Sequence, residues 1–273
     1  MLPTLTADVA DSLCRARDSG LTEYSCSLDL GRSLVTVRLG PDDWSVGEAA
    51  YPYPRPKSLK DRSVYYWSGT GFEVISRYHQ ALIKLVPTRW GPPTFEIDGI
   101  KMLPTQQVCP YADAQRKVGL IEPQGKRVLD TCGGLGYFAA WCLALSCTRV
   151  VSYEKNETVL WLRTLNPWSP PLGGALELVH GDIALAVAGM AEASFDAILH
   201  DPPRFGIAGE LYSRVFYDEL ARVLRRRGQL FHYTGSPNRL TSGRDVPQEV
   251  SVRLQKAGFS TRLEGDGILA VRR

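Results

Sequence analysis

From about Tyr111 to the carboxyl terminus, short apolar runs alternate with segments long enough to form a helix, and nothing else in the chain constrains the fold as strongly. The runs cover residues 127–130, 150–153, 176–180, 197–200 and 229–233. Strands separated by helices pair as parallel neighbours joined by crossovers, so the pattern predicts a parallel sheet with helices on both faces. The closing stretch GFSTRLEGDGILAVRR predicts a β-hairpin turning at Gly265-Asp266-Gly267, which adds an antiparallel edge.

Upstream the pattern is different. A short helix is expected over residues 5–16, followed by β-like runs. Residues 24–30 and 34–39 flank Gly31, Arg32 and Ser33, a hairpin signal, and residues 95–102 contain the turn dipeptide Asp98-Gly99. AAYPYPRPKSLKDR, with Pro52, Pro54 and Pro56 after Pro41, argues against a helix or central strand and predicts a loop of extended character. Residues 72–86 fit strand or helix. There is no internal repeat, and a chain of 273 residues with 44% hydrophobic content can bury at least one full core. The expected organisation is a β-rich domain over residues 1–105 and a ligand-binding α/β domain over residues 106–273.

Composition narrows the partners. A net charge of +3 is small for this length, so nucleic acid stays open as a partner but is not favoured. Cys14, Cys26, Cys109, Cys132, Cys142 and Cys147 form no C-x-x-C pair and have no histidine cluster nearby, so neither a metal site nor a disulfide framework is expected. No apolar run approaches the roughly 20 residues that span a bilayer. The opening MLPTLTADVADSLCRAR has acids where a secretory signal carries basic residues, so a soluble cytoplasmic protein off the membrane is expected.

The first strand–helix unit carries a ligand signal. VLDTCGGLGYFAA places Asp130 at a strand end and Gly134-x-Gly136 at a helix start, where glycines let backbone N–H groups approach a ligand. The spacing also fits a dinucleotide loop, but Asp130 would repel a pyrophosphate. A ligand with an ammonium and a sulfonium would be attracted instead, and S-adenosylmethionine is such a ligand. Glu154 closes the second run, where a carboxylate can accept both ribose hydroxyls. HGDI then places Asp182 to accept from an adenine amine, with Ile183 as an apolar ring contact. A strand-end acid often only caps the next helix. Three in succession, on the edge where open α/β sheets bind ligands, favour the binding reading.

Asp130, Gly134, Gly136, Glu154, Asp182 and Asp201-Pro202-Pro203 together resemble the ordered motifs of class I S-adenosylmethionine-dependent methyltransferases over roughly residues 111–273. More narrowly, VLDTCGGLGYFA, NPWS, HDPPRF and FHYTG resemble a poorly characterised group of predicted methyltransferases related in fold to spermidine synthase. Cys132 departs from the pattern, standing where many members have glycine. The resemblance implies an α/β fold with a Rossmann-like doubly wound seven-stranded sheet and an antiparallel carboxyl-terminal hairpin, with S-adenosyl-L-methionine as cofactor.

It also gives a role to ILHDPPRFG. In methyltransferases that alkylate amines, the acid of a D/N-P-P-aromatic motif and the next backbone carbonyl accept two N–H bonds, which implies that Asp201 and Pro202 orient an amine through acceptors held ready by stiff prolines. Here Arg204 replaces the aromatic residue. The spelling D-P-P-R-x-G is nearer to enzymes acting on uridine C5, but those need a downstream cysteine nucleophile, and none follows Cys147. Beside Pro203, Arg204 can hold an anionic substrate group or pair with Glu210 or Asp218. Phe205 can wall the pocket or pack beneath the loop, and His200 can shuttle a proton or sit in the core. His232 and Tyr233, at the end of the fifth run, are expected to face the same crevice.

RVLRRRG predicts a helix end with Arg225, Arg226 and Arg227 facing solvent in its last turn. Asp245 is expected to cap the last long helix, with Arg244 in reach of the site, and Trp161 and Trp168 to be core or loop anchors. The expected function is transfer of a methyl group to a nitrogen of a small-molecule or protein acceptor, a homodimer being compatible. The alternatives are an aminopropyltransferase of the spermidine synthase type, an RNA base N-methyltransferase, and a catalytically silent nucleotide-binding module.

Overall fold

The computed structural model describes residues 2–54, 59–235 and 245–273. It divides into two compact units, Met1–Tyr111 with Trp161–Trp168, and Ala112–Leu160 with Ser169–Arg273.

The first unit begins with β1 (Thr4–Leu5) and α1 (Ala7–Asp18). Thr6 sets the helix start, its hydroxyl accepting from the Val9 N–H, so the helix begins later than residue 5 and leaves Leu5 to pair with Tyr65. β2 (Glu23–Cys26), β3 (Val35–Leu39), β4 (Asp43–Val46) and β5 (Ala49–Pro52) form an antiparallel sheet in that order. The expected loop at the proline-rich stretch therefore begins as a strand. Pro52 is tolerated there because β5 is an edge strand, where a missing N–H costs no ladder bond.

β6 (Tyr65–Trp67) and β7 (Phe72–Val74) complete a sheet with β1, in the order β1-β6-β7. β8 (Ser76–His79), β9 (Ala81–Val86), β10 (Thr94–Ile97) and β11 (Ile100–Lys101) form a third sheet, so residues 72–86 resolve into three strands. Asp98 and Gly99, with φ of 48° and 80°, make the expected two-residue turn between β10 and β11. The core gathers Leu5, Leu13, Val37 and Trp44, with Tyr51 at 4.8 Å between ring centroids from Trp44. Trp168 anchors a loop within this unit by donating from Nε1 to the Leu30 carbonyl at 3.1 Å, and Arg77 lies 3.8 Å from the Trp161 ring centre.

After α2 (Pro110–Gly119) come β12 (Arg127–Asp130), α3 (Tyr137–Ala144), β13 (Arg149–Glu154), α4 (Glu157–Leu165), β14 (Leu176–His180) and α5 (Ile183–Ala186). β15 (Phe195–His200), α6 (Arg214–Val223), β16 (Leu224–Tyr233), α7 (Val246–Lys256), β17 (Phe259–Glu264) and β18 (Gly267–Arg272) follow. The seven-stranded sheet has the order β14-β13-β12-β15-β16-β18-β17, parallel from β14 to β16 and antiparallel through the last two pairs. This is the expected α/β architecture. The order reverses direction at β12, which pairs with β13 on one side and β15 on the other, and such a switch opens a crevice at the carboxyl ends of the strands.

The helix expected to run into Arg225–Arg227 instead stops at Val223. Leu224 pairs with Phe195 and the next pair is Ala197 with Gln229, so residues 225–228 bulge out of the ladder. Fully buried Leu224 fills the sheet, and the three arginines stay exposed on the bulge with no helix dipole to serve. Asp245 caps α7 as expected, accepting from the Gln248 N–H, whereas Arg244 lies outside the described residues. Among the described residues no helix is long and apolar enough to cross a membrane.

Candidate active site

Four neighbouring strands of the second unit carry an acid at or just beyond their carboxyl ends. Along the sheet these are Asp182 after β14, Glu154 on β13, Asp130 on β12 and Asp201 after β15. Asp130 is fully buried, its Oδ2 accepting from the Ser152 hydroxyl at 2.7 Å across the β12–β13 pair. Gly134 and Gly136 adopt φ of 48° and 82°, a conformation other residues reach only under strain, and Gly136 is the cap of α3.

The two glycine N–H groups expected to face a ligand are used inside the loop. Gly134 donates to Glu154 Oε2 at 3.0 Å and Gly136 to the Gly133 carbonyl at 2.7 Å, while Glu154 Oε1 accepts from the Asn156 N–H at 2.8 Å. Glu154 therefore ties the loop to the end of β13. Asp182 caps α5, accepting from the Ala184 N–H at 2.9 Å, with the Lys155 ammonium 3.5 Å away. Ile183, expected against a ligand ring, is buried and packs in the hydrophobic core cluster of this unit.

Around Asp201 the contacts are of another kind. Its side chain is 20% exposed, with the Lys117 ammonium at 3.9 Å. Burial pushes the carboxyl up to about 6, Lys117 pulls it down, and the acids Asp113 and Asp266 add to the rise. Pro202 is buried, and the Pro203 carbonyl accepts from the Tyr212 hydroxyl at 3.0 Å. Phe205 meets the Tyr212 ring edge-on at 5.4 Å and so packs beneath the loop. Arg204 is exposed, and neither expected partner takes it: Asp218 binds Arg214 at 2.8 Å and Glu210 lies 3.9 Å from Lys155.

His232, expected at the crevice, and His200, for which a proton-shuttling and a core position were both open, belong to the core. His200 has no exposed surface; Nε2 donates to the Leu211 carbonyl at 3.0 Å and Nδ1 faces the Thr131 hydroxyl at 2.7 Å. Burial pushes it down to about 4, which fixes a neutral ring with both nitrogens engaged and leaves no route for proton shuttling. His232 is equally buried, with Nδ1 donating to the Tyr233 carbonyl and Nε2 facing the Tyr217 hydroxyl, each at 2.8 Å. Burial and then His200 lower its pKa well below the usual value. Tyr233 is partly buried, its hydroxyl pushed up to about 12 by burial and then by Asp201.

Sequence reasoning missed Lys117. It is 1% exposed, sits 2.7 Å from Asp113, and lies 4.0 Å from the centre of the Tyr233 ring. Burial works against its charge, but Asp201, Asp113 and Asp266 outweigh that and raise its pKa. The available signal was the i, i+4 spacing of Asp113 and Lys117 on a helix-like segment.

No protein-family model matches the chain. An uncharacterised protein of Methanocaldococcus jannaschii is 44% identical over 178 residues, which cover 64% of this chain and 61% of that protein. The chain thus spans about three fifths of the length of the curated relative it matches. Spermidine synthase in complex with the transition state analogue AdoDATO superposes with a TM-score of 0.60 at 18% identity, over 72% of this chain and 73% of that chain. Spermidine synthase from Thermotoga maritima gives 0.56 at 20% identity, over 72% of each chain. The likeness is one of fold, and its extent exceeds the α/β unit alone.

Proposed function

We propose that the chain is an S-adenosylmethionine-dependent transferase that moves a methyl group to a nitrogen of a small molecule or a protein side chain. The observation that carries this reading is the line of acids on adjacent strand ends, Asp182, Glu154, Asp130 and Asp201, interrupted by a glycine loop with left-handed residues. The set suits a donor with a hydroxylated sugar and a cationic amino-acid end. Glu154 would hold the ribose, Asp182 the adenine edge, and Asp130 would attract the ammonium from within the sheet. Bound there, S-adenosylmethionine supplies an electrophilic methyl group.

Asp201 and the Pro202 carbonyl do the remaining work. An alkylammonium with a pKa near 10 must lose a proton before it attacks, at a cost of roughly 4 kcal/mol near neutral pH. Asp201 accepts the remaining N–H bonds and balances the positive charge that develops on nitrogen. Its proton affinity, with a pKa of about 6, leaves it mostly ionised at neutral pH and able to do so. The stiff Pro202-Pro203 pair, with Pro202 buried, keeps both acceptors in place without further ordering.

Aminopropyl transfer is the second reading, supported by the extent of the likeness to spermidine synthase. Competition calorimetry with intact and decarboxylated S-adenosylmethionine separates the two. Methyl transfer expects tighter binding of the intact donor; a clear preference for the decarboxylated form selects aminopropyl transfer, and binding of neither donor overturns the transferase reading.

A further inference from the structure

The acid assigned to the amine stands beside a charge that the proposed chemistry leaves unused. Lys117 projects from α2 into a group of carboxylates delivered by other elements: Asp113 from its own helix at 2.7 Å, Asp266 from the β17–β18 turn at 3.7 Å, and Asp201 from the end of β15 at 3.9 Å. Tyr233, at the end of β16, offers its ring face to the ammonium. Arg116 braces the arrangement, reaching Asp113 at 3.1 Å and Asp266 at 2.6 Å. The Cys132 thiol of the glycine loop also feels Asp201; burial raises its pKa well above the usual value, and it stays neutral.

A lysine with 1% exposure persists only if its charge is compensated. Among the described residues, two cations, Arg116 and Lys117, face the three acids Asp113, Asp201 and Asp266. With all five charged the group carries one negative charge, and with Asp201 protonated it is neutral. The separation between Lys117 and Asp201 exceeds hydrogen-bond reach, so the lysine donates to Asp113 and acts on Asp201 through its field. An acid held that way keeps its oxygens for an incoming donor, and the surplus negative charge suits a cationic amine.

We infer that Lys117 is a positioning residue of this site: anchored by Asp113 and Asp266, its buried ammonium holds the Asp201 carboxylate in its ionised form beside the place of an amine acceptor. The inference rests on the proposed amine chemistry for its purpose and on the side-chain geometry for its existence.

The test reads Asp201 directly. In the full chain with 13C-labelled aspartate carboxyls, the Asp201 resonance is identified by its loss in Asp201→Asn, and its titration is followed in the parent and in Lys117→Met. Removing the ammonium should raise the Asp201 midpoint by about one pH unit or more, a tenfold gain in proton affinity. An unchanged midpoint in a folded Lys117→Met overturns the inference. Should that variant fail to fold, Asp266→Asn on the hairpin turn decides. It removes a repelling charge and frees the lysine toward Asp201, so the midpoint should fall by about half a unit; a midpoint that stays or rises overturns the inference. Donor calorimetry is a separate readout: if neither donor binds, the transferase reading fails while the titration still decides the role of Lys117.

Discussion

Two stretches of the same sheet edge hold their acids in opposite ways. Across β12, β13 and β14 the carboxylates are tied by hydrogen bonds to nearby chain, Asp182 to the first turn of α5, Glu154 to the glycine loop and Asn156, Asp130 to the neighbouring Ser152. At the end of β15, Asp201 is held by a charge 3.9 Å away, brought by a helix far off in the chain. Under the proposed function the first arrangement fixes the loops that would shape a donor site; the second would fix an ionisation state and leave the carboxylate's hydrogen-bonding directions to a substrate. A carboxylate bonded to its own loop serves as scaffold, whereas one compensated only by a field is suited to chemistry.

The strongest test of this contrast is to remove the acid on the β15 side. Asp201→Ala should reduce turnover by about 100-fold or more while donor binding survives, because only the amine loses its acceptor. Asp201→Asn should fall between, since it keeps an acceptor oxygen and loses the charge. Single-turnover rates with an identified acceptor provide the measurement. A parent-like rate in the alanine variant would mean that the acid merely shapes the loop, and the two stretches would then not differ in kind.

On the scaffold side, Glu154 is asked to hold both the loop and a ribose. Glu154→Ala should weaken donor binding by about 2 kcal/mol, and Glu154→Gln, which retains an oxygen acceptor for the Gly134 N–H, by about half of that. Calorimetry and thermal unfolding on the same variants separate the two roles. Equal losses of stability with donor affinity unchanged would leave Glu154 with the loop alone.

The same division explains what could be read from the sequence. The sheet, its carboxyl-terminal hairpin, the Asp98-Gly99 turn and the Asp245 cap are written in local patterns: apolar runs, turn dipeptides and a side chain within three residues of its N–H. The acids at the strand ends were legible for the same reason. Lys117 was not, because its meaning comes from Asp201 and Asp266, which only the packing of α2 against the ends of β15 and β18 brings near. His232 misled in the opposite direction, while His200 takes the core position that was one of its two readings. A histidine at a strand end looks the same in sequence whether its ring faces a crevice or, as here, packs on its neighbour with 4.4 Å between ring centres. The RVLRRRG stretch failed because a buried Leu224 chose the sheet over a helix ending in arginines, a tertiary preference that overrides local charge placement.

The smallest expected effect comes from the pH dependence of stability, where adjacent residues act with opposite sign. His200 has its folded pKa depressed from 6.5 to about 4, so its contribution is present above pH 6.5 and is lost as the pH falls toward 4. His232, also depressed, acts in the same direction. Asp201 has its folded pKa raised from 3.8 to about 6, so its contribution is full below pH 3.8 and is lost as the pH rises through 6. Between these limits the acid offsets part of what the histidines lose. Asp201→Asn removes that offset, and relative to the parent its unfolding free energy should fall by a further 1 to 2 kcal/mol, an order-of-magnitude figure, between pH 7 and pH 4.5. Urea unfolding midpoints across that range, with the slope at each pH checked for constancy, give the comparison. Parallel pH profiles for the two proteins would mean that Asp201 is not the strained member of the edge, and the contrast between the β15 corner and the hydrogen-bonded strands beside it would lose its electrostatic basis.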